Sequence, residues 1–168
     1  MRIPSNVVDN RPAPFPIGTF QGELGDTEER WTPDQESQFL RLSFVNNSAA
    51  DDNTEDCGNR IMRDDLCLRY RGESLYDYEE VTGDMPFLLR RAAGLIGGLA
   101  VALGSVGRDA SGGVDLDLAE FVADLQEGQY AGSEIRFNVE HNEWKPKDAG
   151  EDDPPRVDAQ IRRFAPAL

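Results

Sequence analysis

Apolar and polar residues alternate with a period of two in five separate stretches of this chain. That pattern constrains the fold more than any other feature, because only a half-buried strand sends successive side chains to opposite faces. Phe20, Gly22 and Leu24 alternate with polar Thr19, Gln21 and Glu23. Over Phe39–Val45, Leu40, Leu42 and Phe44 are expected to face a core, with Phe39, Arg41 and Ser43 outward. Within Arg60–Arg71, Leu66, Leu68 and Tyr70 alternate with Cys67, Arg69 and Arg71. Ile135, Phe137 and Val139 define an inward face across Ser133–His141, with Arg136, Asn138 and Glu140 opposite. Val157, Ala159 and Ile161 do the same for a last strand over Arg156–Phe164.

Two segments replace this alternation by helical spacing. Met85–Leu103 reads as a helix, with Pro86 tolerated in its first turn and Gly104 as its stop. Near residues 116–126, Leu118, Phe121, Val122 and Leu125 fall at i, i+3, i+4 and i+7, with Asp115 or Asp117 as cap and Gly128 as terminator. The apolar run Ala92–Val106 is shorter than the roughly 20 residues that span a bilayer, so it reads as a buried helix and not as a membrane anchor. Its Gly94 and Gly98 form a GxxxG spacing, which outside a membrane lets another element pack closely.

The remaining segments read as an arm and loops. Pro4, Pro12, Pro14 and Pro16 make residues 1–17 an extended arm, and residues 18–168 are expected to form a single domain. Asp26–Glu36 and Asn46–Asn59 are acidic and polar and read as surface loops. The second resembles a calcium loop only superficially, since the twelfth place counted from Asp51 holds Met62 where the closing glutamate belongs.

The coarse order is β-β-β-α-α-β-β: a mainly β domain with a helical insert at about residues 85–127, of the α+β type, and the element order of a five-stranded OB-like barrel.

Charge limits what such a domain can hold. With 32 acidic residues against 17 Lys and Arg the net charge is -15, which repels nucleic acid wherever basic residues do not cluster. Cys57 and Cys67 lack zinc or CxxC spacing, so a reduced, cytoplasmic setting is the simplest reading and a hairpin disulfide the alternative. The sole histidine, His141, has no serine or cysteine nucleophile in a recognisable motif and reads as a strand-end surface residue. Gly94, Gly97 and Gly98 lie inside the helix and not after a strand, so no Rossmann or P-loop motif is present. A non-enzymatic protein without a cofactor or metal is expected.

The opening Ile17-Gly18-Thr19-Phe20, the strand Gln38–Phe44, the Phe87-Leu88-Leu89 helix start with Gly104 at its end, and the closing run of Tyr130-Ala131-Gly132, Ile135–Asn142 and Arg156–Phe164 share a layout. By that layout the chain resembles the phage-encoded single-stranded DNA-binding proteins of OB-fold type, over about Ile17–Phe164. The resemblance implies single-stranded DNA binding in phage-type replication or recombination, in the host cytoplasm. Phage or host replication and recombination proteins are its implied partners, and homo-oligomer formation stays open.

Single strands are held by rings that stack on bases and by cations that track phosphates. The outward residues that fit are Phe39, Arg41, Arg69 and Arg71, then Trp144, Lys145 and Lys147 at the later hairpin, extended by Arg136, Arg162 and Arg163. The competing function is an acidic protein-interaction module, a phage structural or assembly protein or a DNA-mimicking inhibitor, with its charge on loops Asp26–Glu36, Asp51–Asp56 and Asp148–Asp153.

Overall fold

A computed structural model describes residues 1–2 and 13–168. The described residues form a curled antiparallel sheet of seven strands and two α-helices: β1 (Gly18–Leu24), β2 (Glu28–Trp31), β3 (Gln38–Ala49), β4 (Met62–Tyr70), β5 (Glu73–Ser74), α1 (Phe87–Ala102), α2 (Leu118–Gln126), β6 (Glu134–Trp144) and β7 (Arg156–Pro166). The strand order is β5-β4-β3-β1-β6-β7, with β2 added beside β3. The result is a half-barrel. The five stretches of alternation are β1, β3, β4, β6 and β7; β2 and β5 are additional.

Strand β2 lies inside the expected loop Asp26–Glu36. All four of its residues are exposed, so no alternation marks it. Its register puts Glu28 opposite Arg41, a pairing of opposite charges across neighbouring strands. The expected loop Asn46–Asn59 is corrected at its start, because β3 runs on to Ala49 and pairs there with β1. Asn47 hides this extension by placing a polar side chain inward. Its amide is buried and donates to the carbonyls of Phe44 at 2.8 Å and Arg60 at 2.9 Å. Gly22 makes room for it, since a Cβ at that position would come within 1.8 Å of the Asn47 Oδ1.

Cys67 was expected outward and is buried. The β3–β4 register slips between Gln38 and Phe39, so that Leu66, Cys67 and Leu68 are all buried in succession. Burial pushes the Cys67 thiol up to about 11, and both cysteines are free.

Residues 3–12 of the arm, with Pro4 and Pro12, lie outside the described residues. The part that is described is anchored in the core. Phe15 is 4 % exposed and enters the core edge-on to Phe20, with ring centroids 4.8 Å apart. Arg60 donates to the Ala13 and Pro14 carbonyls. His141, expected as a surface residue, is half-buried, and its Nε2 lies 2.7 Å from the Phe15 carbonyl oxygen. A carbonyl only accepts, so that nitrogen carries the proton.

Both helices end as their glycines dictate. Gly104 and Gly128 have φ of 76° and 79°; the N–H of the residue after each bonds back across the last turn, Ser105 to Ala100 and Gln129 to Asp124, closing the orphan carbonyls in a Schellman motif. Asp117 caps α2 by accepting from the Glu120 N–H at 3.2 Å. Pro86 stands one residue earlier than expected, at the N-cap of α1. The expectation that Gly94 and Gly98 admit a close neighbour is corrected, because a Cβ at Gly94, Gly97 or Gly98 would meet nothing within 4 Å.

Helix α1 closes the half-barrel. Strands β4 and β7 are each two antiparallel pairings removed from β1, so they run in the same direction. They come together without a ladder, and α1 packs on both with buried Leu89, Ala92, Leu95, Ile96 and Leu99. A side-chain clip replaces the missing rungs. The Asp64 carboxylate on β4 accepts from the Ile161 N–H of β7 at 2.6 Å and from Arg91 of α1 at 2.7 and 3.3 Å, while Arg91 also donates to the Ile161 carbonyl at 3.0 Å.

Candidate nucleic-acid interface

The outer side of this closure is a concave trough in two arms. One arm, a cleft of about 530 Å³ between α1 and β7, is lined by Arg90, Arg91, Arg108, Arg162 and Arg163. The other, about 710 Å³ between α1 and β4, adds Arg41, Arg60 and Arg63. The arms share Phe87, Arg91 and Gln160, so they form one continuous surface. Eight arginines therefore face four carboxylates, Asp64, Asp65, Glu140 and Asp158, in a chain whose acids outnumber its bases almost two to one.

Two of those carboxylates are already committed within the fold. Asp65 forms a bidentate pair with Arg41 at 2.7 and 3.0 Å, and Asp64 holds Arg91 at 2.7 Å. Burial pushes the Asp64 carboxyl up, an effect that its bonds to Arg91 and to the Ile161 N–H reduce without cancelling. Among the described residues, Arg90, Arg108, Arg162 and Arg163 form no ion pair. Arg90 and Arg108 donate to the Gly83 and Gly112 carbonyls, and Arg163 donates to Asn138. Such neutral bonds orient a guanidinium and leave its full charge for an incoming anion.

The aromatic component stands at the junction of the arms. Phe87, the first residue of α1, is 66 % exposed, with Ile61 and Leu88 exposed beside it along the β4 arm. The Arg90 guanidinium lies 5.8 Å from the Phe87 ring centre, which places ring and cation on one edge of the helix.

Of the ten residues expected to bind nucleic acid, Arg41, Arg162 and Arg163 line the trough. The other seven do not. Phe39 is half-buried and packs against the core. Arg69 lies over the Trp31 ring at 5.7 Å, and Arg71 over Tyr70 at 5.2 Å. Arg136 donates to the Pro166 carbonyl at 2.7 Å. Trp144 donates its indole N–H to Asp158 at 2.5 Å, and Arg156 covers its ring at 5.4 Å. Lys145 donates to the Glu151 carbonyl in the β6–β7 hairpin, and Lys147 is exposed on the same turn. Arg69 with Trp31, Arg71 with Tyr70, and Arg156 with Trp144 are thus cation and ring pairs that lie outside the trough lining.

Sequence reasoning missed the contribution of α1 and the loop after it, Phe87, Arg90, Arg91 and Arg108, because Arg91 and Arg108 registered only as the polar flanks of an apolar run. The signal was the doublet Arg90-Arg91 directly after Phe87-Leu88, one turn into a helix that is otherwise free of charge. Among the described residues no group of three or more His, Cys, Asp or Glu is arranged to hold a metal ion, and no helix is long and apolar enough to cross a membrane. No protein-family model matches the chain, and no curated protein matches it.

Proposed function

We propose that this protein binds single-stranded DNA along the α1 trough, in replication or recombination of the phage type. The observation that carries the proposal is the gathering of eight arginines on one concave face of a molecule with net charge -15. A polyanion is repelled by the rest of the surface and attracted there, so charge selects the path. Exposed Phe87, Ile61 and Leu88 favour a single strand over a duplex, because only unpaired bases offer faces for a ring and apolar side chains to stack on. The strand order supports an OB-type barrel. Strands β4 and β7, the outer members of the run β4-β3-β1-β6-β7, point the same way, and α1 packs on both where no ladder joins them.

The test is fluorescence anisotropy of a labelled oligo-dT and of its duplex, at low and moderate salt, with the wild type and with Phe87→Ala. The single strand is expected to bind tightly and to weaken with salt, and the duplex to bind poorly. Loss of one stacked base, worth about 1–3 kcal/mol, weakens Phe87→Ala by about fivefold to a hundredfold. Absence of single-strand binding at low salt, or equal affinity for the duplex, overturns the proposal.

A further inference from the structure

We infer that the face of α1 adjoining the trough carries a second site, one that takes a cationic peptide segment presenting a bulky apolar side chain. The inference does not rest on DNA binding. A cleft of about 500 Å³ lies between the segment Leu75–Val81, α1 and the loop leading to α2. Its floor is the bare helix face of Gly94, Gly97 and Gly98, which no other part of the described fold covers. Leu75, Ala93, Leu116 and Leu118 make its walls apolar, and Val81 stands at the edge with half its surface exposed. A concave apolar slot with few polar groups is the usual form of a site for an apolar group.

Charge identifies what the apolar group is attached to. Glu79 and Glu80 occupy one bank of the cleft and Asp115 the other. The adjoining depression extends the second bank with Asp117, Glu120 and Asp124. Arg108 is the one cation lining either hollow. Carboxylates on both banks repel a nucleic acid or an acidic peptide, and they complement lysines or arginines flanking the inserted side chain. Gly94, Gly98 and Arg108 line both this cleft and the β7 arm of the trough, so the acid-banked apolar cleft borders the arginine trough along α1.

The experiment uses a labelled peptide of lysine and leucine, and a control of equal charge with every leucine replaced by serine, titrated into the full chain by anisotropy. The leucine peptide is expected to bind about tenfold tighter than the serine peptide, the difference that burial of one leucine supplies. Gly97→Leu fills the floor of the cleft with a better helix former at a position that does not itself line the trough. It is expected to erase the difference between the peptides while leaving oligo-dT binding as in the wild type. Equal binding of the two peptides, or a preference that survives Gly97→Leu in a variant with native circular dichroism, overturns the inference whatever the DNA experiment shows.

Discussion

At the scale of single residues, the fold depends on polar groups facing inward where alternation predicts apolar ones. Asp64 is the clearest case, at 7 % exposure and joined to a guanidinium that is itself largely buried. Taking both ions out of water costs several kcal/mol, and their mutual bonds repay that only while both are present. Asp64→Ala leaves Arg91 without its counter-ion and the Ile161 N–H without its acceptor. The variant is therefore expected to lose about 3–5 kcal/mol, read as a lower denaturation midpoint. Replacing the pair together, Asp64→Leu with Arg91→Met, is expected to recover most of the loss, because no unpaired charge stays buried. Equal losses in the single and double variants would show that the clip contributes geometry and not charge balance. In the sequence Asp64 is one acid between Arg63 and Asp65, with nothing local to mark it as buried. Its partners lie 27 and 97 residues away, beyond any local pattern.

At the scale of elements, what was legible followed from local chemistry, and what was not followed from irregular pairing. Helix starts and stops are written in Asp117, Gly104 and Gly128, because capping is settled within one turn. Alternation located five strands, because one face of each is buried. It missed β2, which buries nothing, and it mistook Cys67 because the slip beside Phe39 is a property of two strands together. Strand β7 carries a second irregularity with a functional consequence. Val139 pairs with Ile161 and Asn138 with Arg163, leaving Arg162 as an extra residue. The bulge lets both Ile161 and Phe164 pack against the core although they stand three positions apart, an odd spacing that regular alternation would send to opposite faces. It also turns Arg162 and Arg163, both exposed, toward the trough. Bulges commonly re-aim side chains beside functional sites. Deleting Arg162 restores regular alternation with Phe164 still inward, so the deletion is expected to keep stability within about 1 kcal/mol of wild type. Its oligo-dT affinity is expected to fall. A deletion that unfolds the protein would assign the bulge to folding, and one that binds DNA unchanged would remove it from the site.

At the scale of the whole molecule, electrostatics organises the surface more than any single contact does. The basic residues that line the trough come from β3, the chain between β3 and β4, β4, α1, the loop after α1, and β7. No window of sequence contains the patch, and the overall acidity argued against one. Only the curl of the sheet, closed by α1, brings those segments together. Placing positive charge in a concavity and negative charge elsewhere focuses the field and makes binding depend steeply on ionic strength. A single strand that contacts Arg90, Arg108, Arg162 and Arg163 releases counterions in proportion, giving a slope of log affinity against log salt of about -3. Arg162→Gln with Arg163→Gln removes two of those contacts, so the slope is expected to become shallower by about 1.4. Arg69→Gln with Arg71→Gln, on the β4 end outside the trough, is the matched control that leaves the slope unchanged. If the control pair flattens the slope and the β7 pair does not, the strand runs along the outer face of β3 and β4 instead.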